Sequence, residues 1–216
     1  MIPKGTCELN VILVSLGVLK FANLDMYSEV AIKKTDYGVI KFETCRESSV
    51  DQSLMAFCTT GNLVSENEET IGKCCFFVLR KKRNQPQMSA EEITDQLDAI
   101  SQSVMEIGEV LLSEDEFSLE YYFNTSCLLI ADRIWIEAGH RGSNLWKTLY
   151  FLTMEEALRP LRKTPEEFFF KAFPLAFENK VTDENRLEFT KARRDLTILY
   201  AIHLNAKRRA CQKFCV

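Results

Sequence analysis

Short apolar runs alternate with polar stretches in the first third of the chain, and this pattern predicts strands. The runs cover residues 11–19, 37–43 and 72–79. They are rich in β-branched and aromatic residues, which favour strands over helices. The first run is much shorter than the ~20 apolar residues of a membrane-spanning helix. We therefore interpret it as a buried strand, and expect neither a secretory signal nor a membrane span.

A helical period replaces the strand pattern after residue 88. Ser89 and Glu92 have the spacing of a capping box, in which each side chain accepts a hydrogen bond from the other residue's backbone N–H. Apolar residues then recur every three or four positions, which places them on one helix face: Ile93, Leu97, Ile100, Val104, Ile107 and Leu111. We expect one helix that packs on a sheet, followed by a loop or short strand over residues 117–123.

The second half of the chain predicts a strand, a helix and a second strand in succession. Residues 127–136 form the most apolar run, which is typical of a strand covered on both faces. A glycine-containing turn separates this run from a helical pattern over residues 145–158, and an aromatic strand follows over residues 168–173. A helical crossover of this kind implies parallel strand pairing. A last helix is predicted over residues 183–209, and residues 211–216 are predicted to form a closing strand.

Composition and charge narrow the class of protein. The chain has 216 residues, 46% of them hydrophobic and 27% charged, and its formal net charge is -4. This composition favours a single globular domain over residues 1–216, and it favours neither nucleic acid nor a membrane as a partner.

The eight cysteines and two histidines show no spacing typical of a metal site or a disulfide framework. We expect reduced, mostly buried thiols, no metal and a cytoplasmic location.

The turn between the strand at 127–136 and its helix is the expected ligand site. Backbone N–H groups at a helix N-terminus point outward, and the helix dipole adds partial positive charge there, so such a turn can bind a pyrophosphate. The residues that we expect to bind the ligand share this turn and the helix start: Arg141, Gly142, Ser143, Asn144, Leu145 and Trp146.

Residues 132–137 (Asp-Arg-Ile-Trp-Ile-Glu) and 140–146 (His-Arg-Gly-Ser-Asn-Leu-Trp) resemble the strand and loop of the GNAT acyl-CoA N-acyltransferases. In that family, Arg or Gln followed by x-x-Gly-x-Gly or Ala binds the CoA pyrophosphate. Residues 171–177 resemble a strand ending found in a bacterial branch of the same family. The resemblance covers residues 70–216, whereas the first 70 residues carry no recognisable motif.

The resemblance implies an α/β fold with a mixed, centrally parallel sheet flanked by helices on both faces. It also implies acetyl-CoA as cofactor, bound by Ile134 and Ile136 in the strand together with the turn residues. An amine on a small molecule or a protein would be the acceptor. Glu137 would act as the general base and Tyr200 as the general acid. Each also has a structural interpretation, since Glu137 suits a solvated surface and Tyr200 a packed helix face.

The chain departs from the family at two positions of the motif. Asn144 and Trp146 stand where the family has Gly and Gly or Ala, which let the backbone approach the phosphates closely. The alternative is therefore a catalytically inactive module that binds another protein. An exposed Trp146 would favour this module, whereas an indole packed against its own sheet would leave the acyltransferase hypothesis standing.

Overall fold

The computed structural model describes residues 11–12, 28–47, 53–114, 116–125, 127–142, 144–159, 161, 167–170 and 182–204. Within these residues the strands form one seven-stranded sheet, in which each strand lies beside the next along the chain. The strands are β1 (Val11–Ile12), β2 (Ser28–Thr35), β3 (Gly38–Glu47), β4 (Leu54–Val64), β5 (Thr70–Lys81), β6 (Cys127–Ile136) and β7 (Glu167–Phe170). The helices are α1 (Ala90–Asp98), α2 (Gln102–Glu114), α3 (Glu116–Thr125), α4 (Leu145–Leu158) and α5 (Arg186–Leu204).

The direction of the strands corrects the expected fold class. All neighbouring strands from β1 to β6 are antiparallel, so the centrally parallel sheet that the resemblance implied is wrong. Short connections account for the direction of two of these pairs. Two residues join β2 to β3, and residues 65–69 join β4 to β5. Connections this short allow only antiparallel neighbours, because a parallel pair needs a crossover of a dozen residues or more.

The crossover predicted for the second half of the chain is present. Strand β7 pairs in parallel with β6 from Leu128 opposite Glu167 to Ala131 opposite Phe170. Helix α4 connects the two strands and has the predicted bounds. Parallel pairing is therefore confined to one edge of the described sheet.

The helical region between β5 and β6 differs from the expected single helix. The capping box of Ser89 and Glu92 is present at the start of α1. The chain breaks at Ala99, and α2 begins after Ser101, whose Oγ accepts a hydrogen bond of 3.2 Å from the N–H of Val104. A serine that caps the next helix thus divides the periodic pattern in two. Residues 117–123 lie in α3, so the expected loop or strand is wrong.

Helices cover both faces of the sheet, and each face has its own buried apolar cluster. Helix α4 lies on one face, where glycines let it approach the strands closely. A Cβ on Gly72 would lie 2.8 Å from Ile136 Cδ1 and 3.0 Å from Leu149 Cδ2, and one on Gly61 would meet Thr153. Helices α1, α2 and α3 cover the other face and bury Leu97, Leu111 and Leu119 with apolar residues of β4, β5 and β6.

Several predictions from sequence lie wholly or partly outside the described residues. These are most of the first strand, the end of the strand at 168–173, the end of the last helix and the closing strand at 211–216. None of the helices in the described part of the chain has the length and apolar character needed to cross a bilayer.

Candidate functional site at the turn between β6 and α4

Strand β6 is irregular just before the candidate site. Cys75 lies opposite Arg133 and Phe76 lies opposite Ala131, which leaves Asp132 as an extra residue in β6. This is a β-bulge, a feature that bends a strand and is frequent beside active sites. The described pairing with β7 ends at Ala131. The last residues of β6 therefore pair with β5 alone within the described sheet, and they lead directly into the turn.

Hydrogen bonds tie the turn to the end of β6. The N–H of Glu137 donates to Ile71 O at 3.0 Å, which continues the pairing with β5. Residues Ala138–His140 form a short 3-10 helix. Arg141 Nε then donates to Ile136 O at 2.9 Å, so the guanidinium is fixed at the strand end. Arg141 makes no ion pair with any described carboxylate.

Gly142 gives the turn an open backbone. Its φ is +86°, a conformation that side chains with a Cβ rarely adopt. A Cβ built on Gly142 would meet nothing within 4 Å, so among the described residues no group beyond its chain neighbours fills the space beside it. Ser143, which we expected to contribute to the same turn, lies outside the described residues.

Asn144 occupies the N-cap of α4 but its side chain does not cap the helix. Its carbonyl accepts hydrogen bonds from the N–H groups of Lys147 at 3.0 Å and Thr148 at 3.2 Å, which begins the helix. The exposed Asn144 side chain is not used to cap the helix and remains available to a ligand. Leu145, by contrast, is 2% exposed and packs in the core, so its side chain anchors the helix.

Trp146 lies beside the core of its own helix and sheet. Its ring centroid is 6.5 Å from that of Tyr150 in an edge-to-face arrangement, and the half-buried indole packs on the cluster between α4 and the sheet. Lys147 Nζ lies 5.8 Å from the Trp146 ring centroid, a cation–π distance. The indole thus has partners in α4 and the core, which is the arrangement that leaves the acyltransferase hypothesis standing.

Two carboxylates lie on the β6 side of this turn. Glu137 is 52% exposed, and its Oε2 is 3.7 Å from His140 Nε2. Asp132, at the bulge, is only 9% exposed and accepts from Arg133 Nε at 3.0 Å. The position of Asp132 at a bulge could not be predicted from the sequence, because a bulge depends on the register between two strands.

The other predicted site residues have different positions. Ile134 is half-buried and Ile136 is buried, so their side chains belong to the core and only their backbone groups face the strand edge. Tyr200 lies in α5, and its side chain is outside the described part of the structure. The structure thus brings Glu137, Arg141, Gly142 and Asn144 together at one turn. It does not test whether Tyr200 joins them.

Comparisons with known proteins identify no relative of this chain. No family model, curated protein or solved structure matches the chain. The function must therefore be inferred from the residues of the site.

Proposed function

We propose that the protein binds acetyl-CoA at the turn between β6 and α4 and transfers the acetyl group to an amine. The observation that carries the proposal is the open backbone at Gly142, which lies next to a guanidinium without a carboxylate partner among the described residues. A backbone without a Cβ, a guanidinium and a helix N-terminus are groups that bind a pyrophosphate. The resemblance of residues 132–146 to acyl-CoA N-acyltransferases supports CoA as the molecule that carries this pyrophosphate.

The bulge in β6 supports a position for the thioester. Beyond Asp132 the strand has one edge that is not paired with β7 in the described sheet. Ile134 and the N–H of Ile136 lie along this edge, and the Ile136 carbonyl accepts from Arg141 Nε. In the proposed complex the pantetheine arm lies along this edge. A backbone N–H of β6 then polarises the thioester carbonyl, as donors aimed at a developing oxyanion do in other acyl transfers.

Glu137 is the proposed general base. Its exposed carboxylate follows β6 directly and precedes Arg141 by one short turn. It takes a proton from the acceptor ammonium, directly or through one water, and the amine nitrogen then attacks the thioester carbon. The CoA thiolate leaves and takes a proton from Tyr200 of α5. The acceptor is an amine on a small molecule or on a protein.

The proposed compartment is the cytoplasm. The chain has eight cysteines but no spacing typical of a disulfide framework, and such frameworks are typical of oxidising compartments.

Release of CoA from acetyl-CoA in the presence of an amine panel tests the proposed reaction. Glu137→Gln should lower the turnover rate by about 10²–10⁴-fold and leave acetyl-CoA affinity unchanged. Glu91→Gln is the matched control, because Glu91 is exposed in the first turn of α1. Equal rates for Glu137→Gln and the unmodified protein would contradict the proposed role of Glu137.

The second candidate is a module that binds another protein, and an exposed face of α5 favours it. Leu187, Ile198 and Ile202 are 84%, 45% and 71% exposed. Their spacing places them on one side of the helix. This module requires neither acetyl-CoA nor Glu137. Substitution of Ile198 and Ile202 by Ser should therefore weaken only the protein interaction, and acetyl-CoA binding should be unchanged.

A further inference from the structure

Cysteines on three adjacent strands meet on the face of the sheet that carries α1, α2 and α3. Cys45 of β3 lies directly opposite Cys58 of β4. The Sγ of Cys58 is 3.5 Å from the Sγ of Cys75 in β5. A disulfide bond is about 2.0 Å long, so these two sulfurs are in contact without being bonded. We call Cys45, Cys58 and Cys75 the thiol row.

The thiol row lies at the margin between buried and exposed residues. Cys75 is 7% exposed and belongs to the apolar cluster under the helices, whereas Cys58 and Cys45 are half-buried. Two residues before Cys75, Lys73 is exposed on the same face of β5. The residue opposite Cys75, Arg133, is exposed as well. Small oxidants in solvent can therefore reach the row. The charged groups beside the row have both signs, because Asp132 pairs with Arg133 and the Cys45 Sγ lies 3.8 Å from Glu43 Oε1.

The thiols of this sheet have pKa values that are shifted in opposite directions. The hydrogen bond with Cys58 lowers the pKa of Cys75, and Thr60 and Arg133 lower it further, whereas burial and the negative charge of Asp132 oppose this shift. Burial raises the pKa of Cys74, the adjacent residue on the other face, well above its usual value. Burial also raises the pKa of Cys127 to about 11. Since the thiolate is the reactive form, Cys75 is the reactive member of this set.

We propose that the thiol row is a redox site at which Cys75 and Cys58 are oxidised by a peroxide and Cys45 then exchanges into the disulfide. In the first step the Cys75 thiolate attacks hydrogen peroxide and the O–O bond breaks. Hydroxide is the leaving group, and Cys75 becomes a sulfenic acid. The Cys58 thiolate then attacks this sulfur, the S–O bond breaks and a disulfide forms. Two thiols have lost two electrons and two protons, and the peroxide has become two waters.

The register of the strands explains the role of Cys45. Cys75 lies opposite Thr60, so Cys58 and Cys75 are diagonal neighbours. Diagonal Cα atoms are about 7–8 Å apart, at the upper limit of about 7 Å for a disulfide, so closing the bond requires a small movement of the two strands. The bond between Cys58 and Cys75 is therefore strained and easily attacked. Directly opposite Cα atoms are about 4.5–5.5 Å apart, which suits a disulfide. Cys45, whose thiol contacts Glu43 Oε1 at 3.8 Å, loses its proton and attacks Cys58 Sγ. The bond between Cys58 and Cys75 breaks, the relaxed disulfide forms and Cys75 leaves as a thiolate that takes up a proton.

A metal site is the other chemistry that clustered cysteines suggest. The described residues contain no group of three or more His, Cys, Asp or Glu side chains placed to hold an ion. The 3.5 Å contact between the Sγ atoms of Cys58 and Cys75 favours disulfide exchange at the thiol row.

The test treats the reduced native protein with hydrogen peroxide, alkylates the remaining thiols and identifies the cross-linked peptides by mass spectrometry. We expect a disulfide between Cys45 and Cys58 in the unmodified protein. Cys45→Ser should stop the reaction at the disulfide between Cys58 and Cys75. Cys58→Ser should form neither disulfide and should carry Cys75 to the sulfinic acid. Cys74→Ser is the matched control and should react like the unmodified protein.

A second measurement uses the unmodified protein alone, so it does not depend on the folding of any variant. Alkylation of Cys75 should be at least about tenfold faster than alkylation of Cys74. The Cys75 rate should also rise at a lower pH, because the pKa of Cys75 is lowered and that of Cys74 is raised. If the cysteines of the thiol row are alkylated to the same extent as Cys74 after peroxide treatment, the proposal is wrong. A disulfide from Cys58 to a cysteine outside the row would overturn it as well.

Discussion

Gly38 in the hairpin between β2 and β3 and Gly142 in the turn after β6 both have positive φ, but their surroundings are opposite. Gly38 has φ +133°, and a Cβ there would meet the backbone carbonyl of Val64. Gly142 has φ +86°, and a Cβ there would meet nothing within 4 Å. Both backbones require glycine, yet only the second leaves room for a ligand. Positive φ therefore does not by itself mark a site, and open space beside the backbone is what distinguishes Gly142 from Gly38.

The polar groups of the two turns differ in the same way. In the hairpin, Thr35 Oγ1 donates to Gly38 O at 2.9 Å and accepts from the N–H of Tyr37 at 3.2 Å. Polar groups of the hairpin thus form hydrogen bonds with one another. In the turn after β6, the Asn144 side chain does not cap α4 and Arg141 has no ion pair with a described residue. This difference predicts that changes in the hairpin alter stability, whereas changes in the other turn alter ligand binding.

The largest expected effect on stability is that of Gly38→Ala. The substitution adds a strained φ and a contact with the Val64 carbonyl, which together should lower the free energy of unfolding by about 3 kcal/mol. Denaturant unfolding measures this loss. Asp36→Ala, an exposed change in the same hairpin, should stay within about 0.5 kcal/mol. An equal loss of unfolding free energy in the two variants would contradict the structural role assigned to Gly38.

Gly142→Ala should be less destabilising but should weaken acetyl-CoA binding. The strain of a positive φ costs about 1–2 kcal/mol, and no collision is added. The added methyl group occupies the space assigned to the pyrophosphate, so we expect acetyl-CoA affinity to fall about tenfold or more. Gly139→Ala is the matched control, because Gly139 lies in the same turn, also in open space, without a positive φ. Loss of affinity in Gly139→Ala alone would move the site away from Gly142.

Thr35→Val tests whether the hydrogen bonds within the hairpin stabilise the fold without affecting ligand binding. The valine removes both hydrogen bonds of Thr35 Oγ1 and keeps the shape of the side chain. The free energy of unfolding should fall by about 0.5–1.5 kcal/mol, with no change in acetyl-CoA affinity. An affinity change in this variant would show that the two turns do not act independently.

The smallest expected effect on stability is that of Asn144→Ala. An N-cap change to Ala usually costs about 0.5–2 kcal/mol, but Asn144 makes no capping bond and its loss should stay under about 0.5 kcal/mol. Ser89→Ala provides the comparison, because Ser89 forms a capping box with Glu92 and its loss should cost about 1 kcal/mol. Similar losses for the two variants would mean that Asn144 stabilises α4 after all.

Local pattern was a good guide wherever local interactions determine the structure. The capping box at Ser89, strand β6, helix α4 and the parallel pair of β6 with β7 were all predicted. The apolar period predicted one helix, but two helices are present, because the Ser101 side chain caps the start of the second. Residues 117–123 became helix against their aromatic, strand-like pattern.

Features that depend on strand register were not predictable from the sequence. The antiparallel sheet required β2 and β4, which the apolar pattern did not reveal, and the bulge at Asp132 arises only when β5 meets β6. The thiol row has the same origin, because Cys45, Cys58 and Cys75 meet through the pairing of three strands. Arg141 and Gly142 were predicted from their turn, whereas the open space beside Gly142 needed the folded chain.

The unfolding midpoint during titration with acetyl-CoA tests the central claim most directly. We expect a saturable rise for the unmodified protein, equivalent to about 2.7 kcal/mol when the ligand is at 100 times its Kd. Arg141→Glu should abolish the rise. Arg83→Glu should keep it, because Arg83 follows the end of β5 remote from the site. No rise at millimolar acetyl-CoA, or an equal rise in Arg141→Glu, would contradict the assignment of this turn as the CoA site.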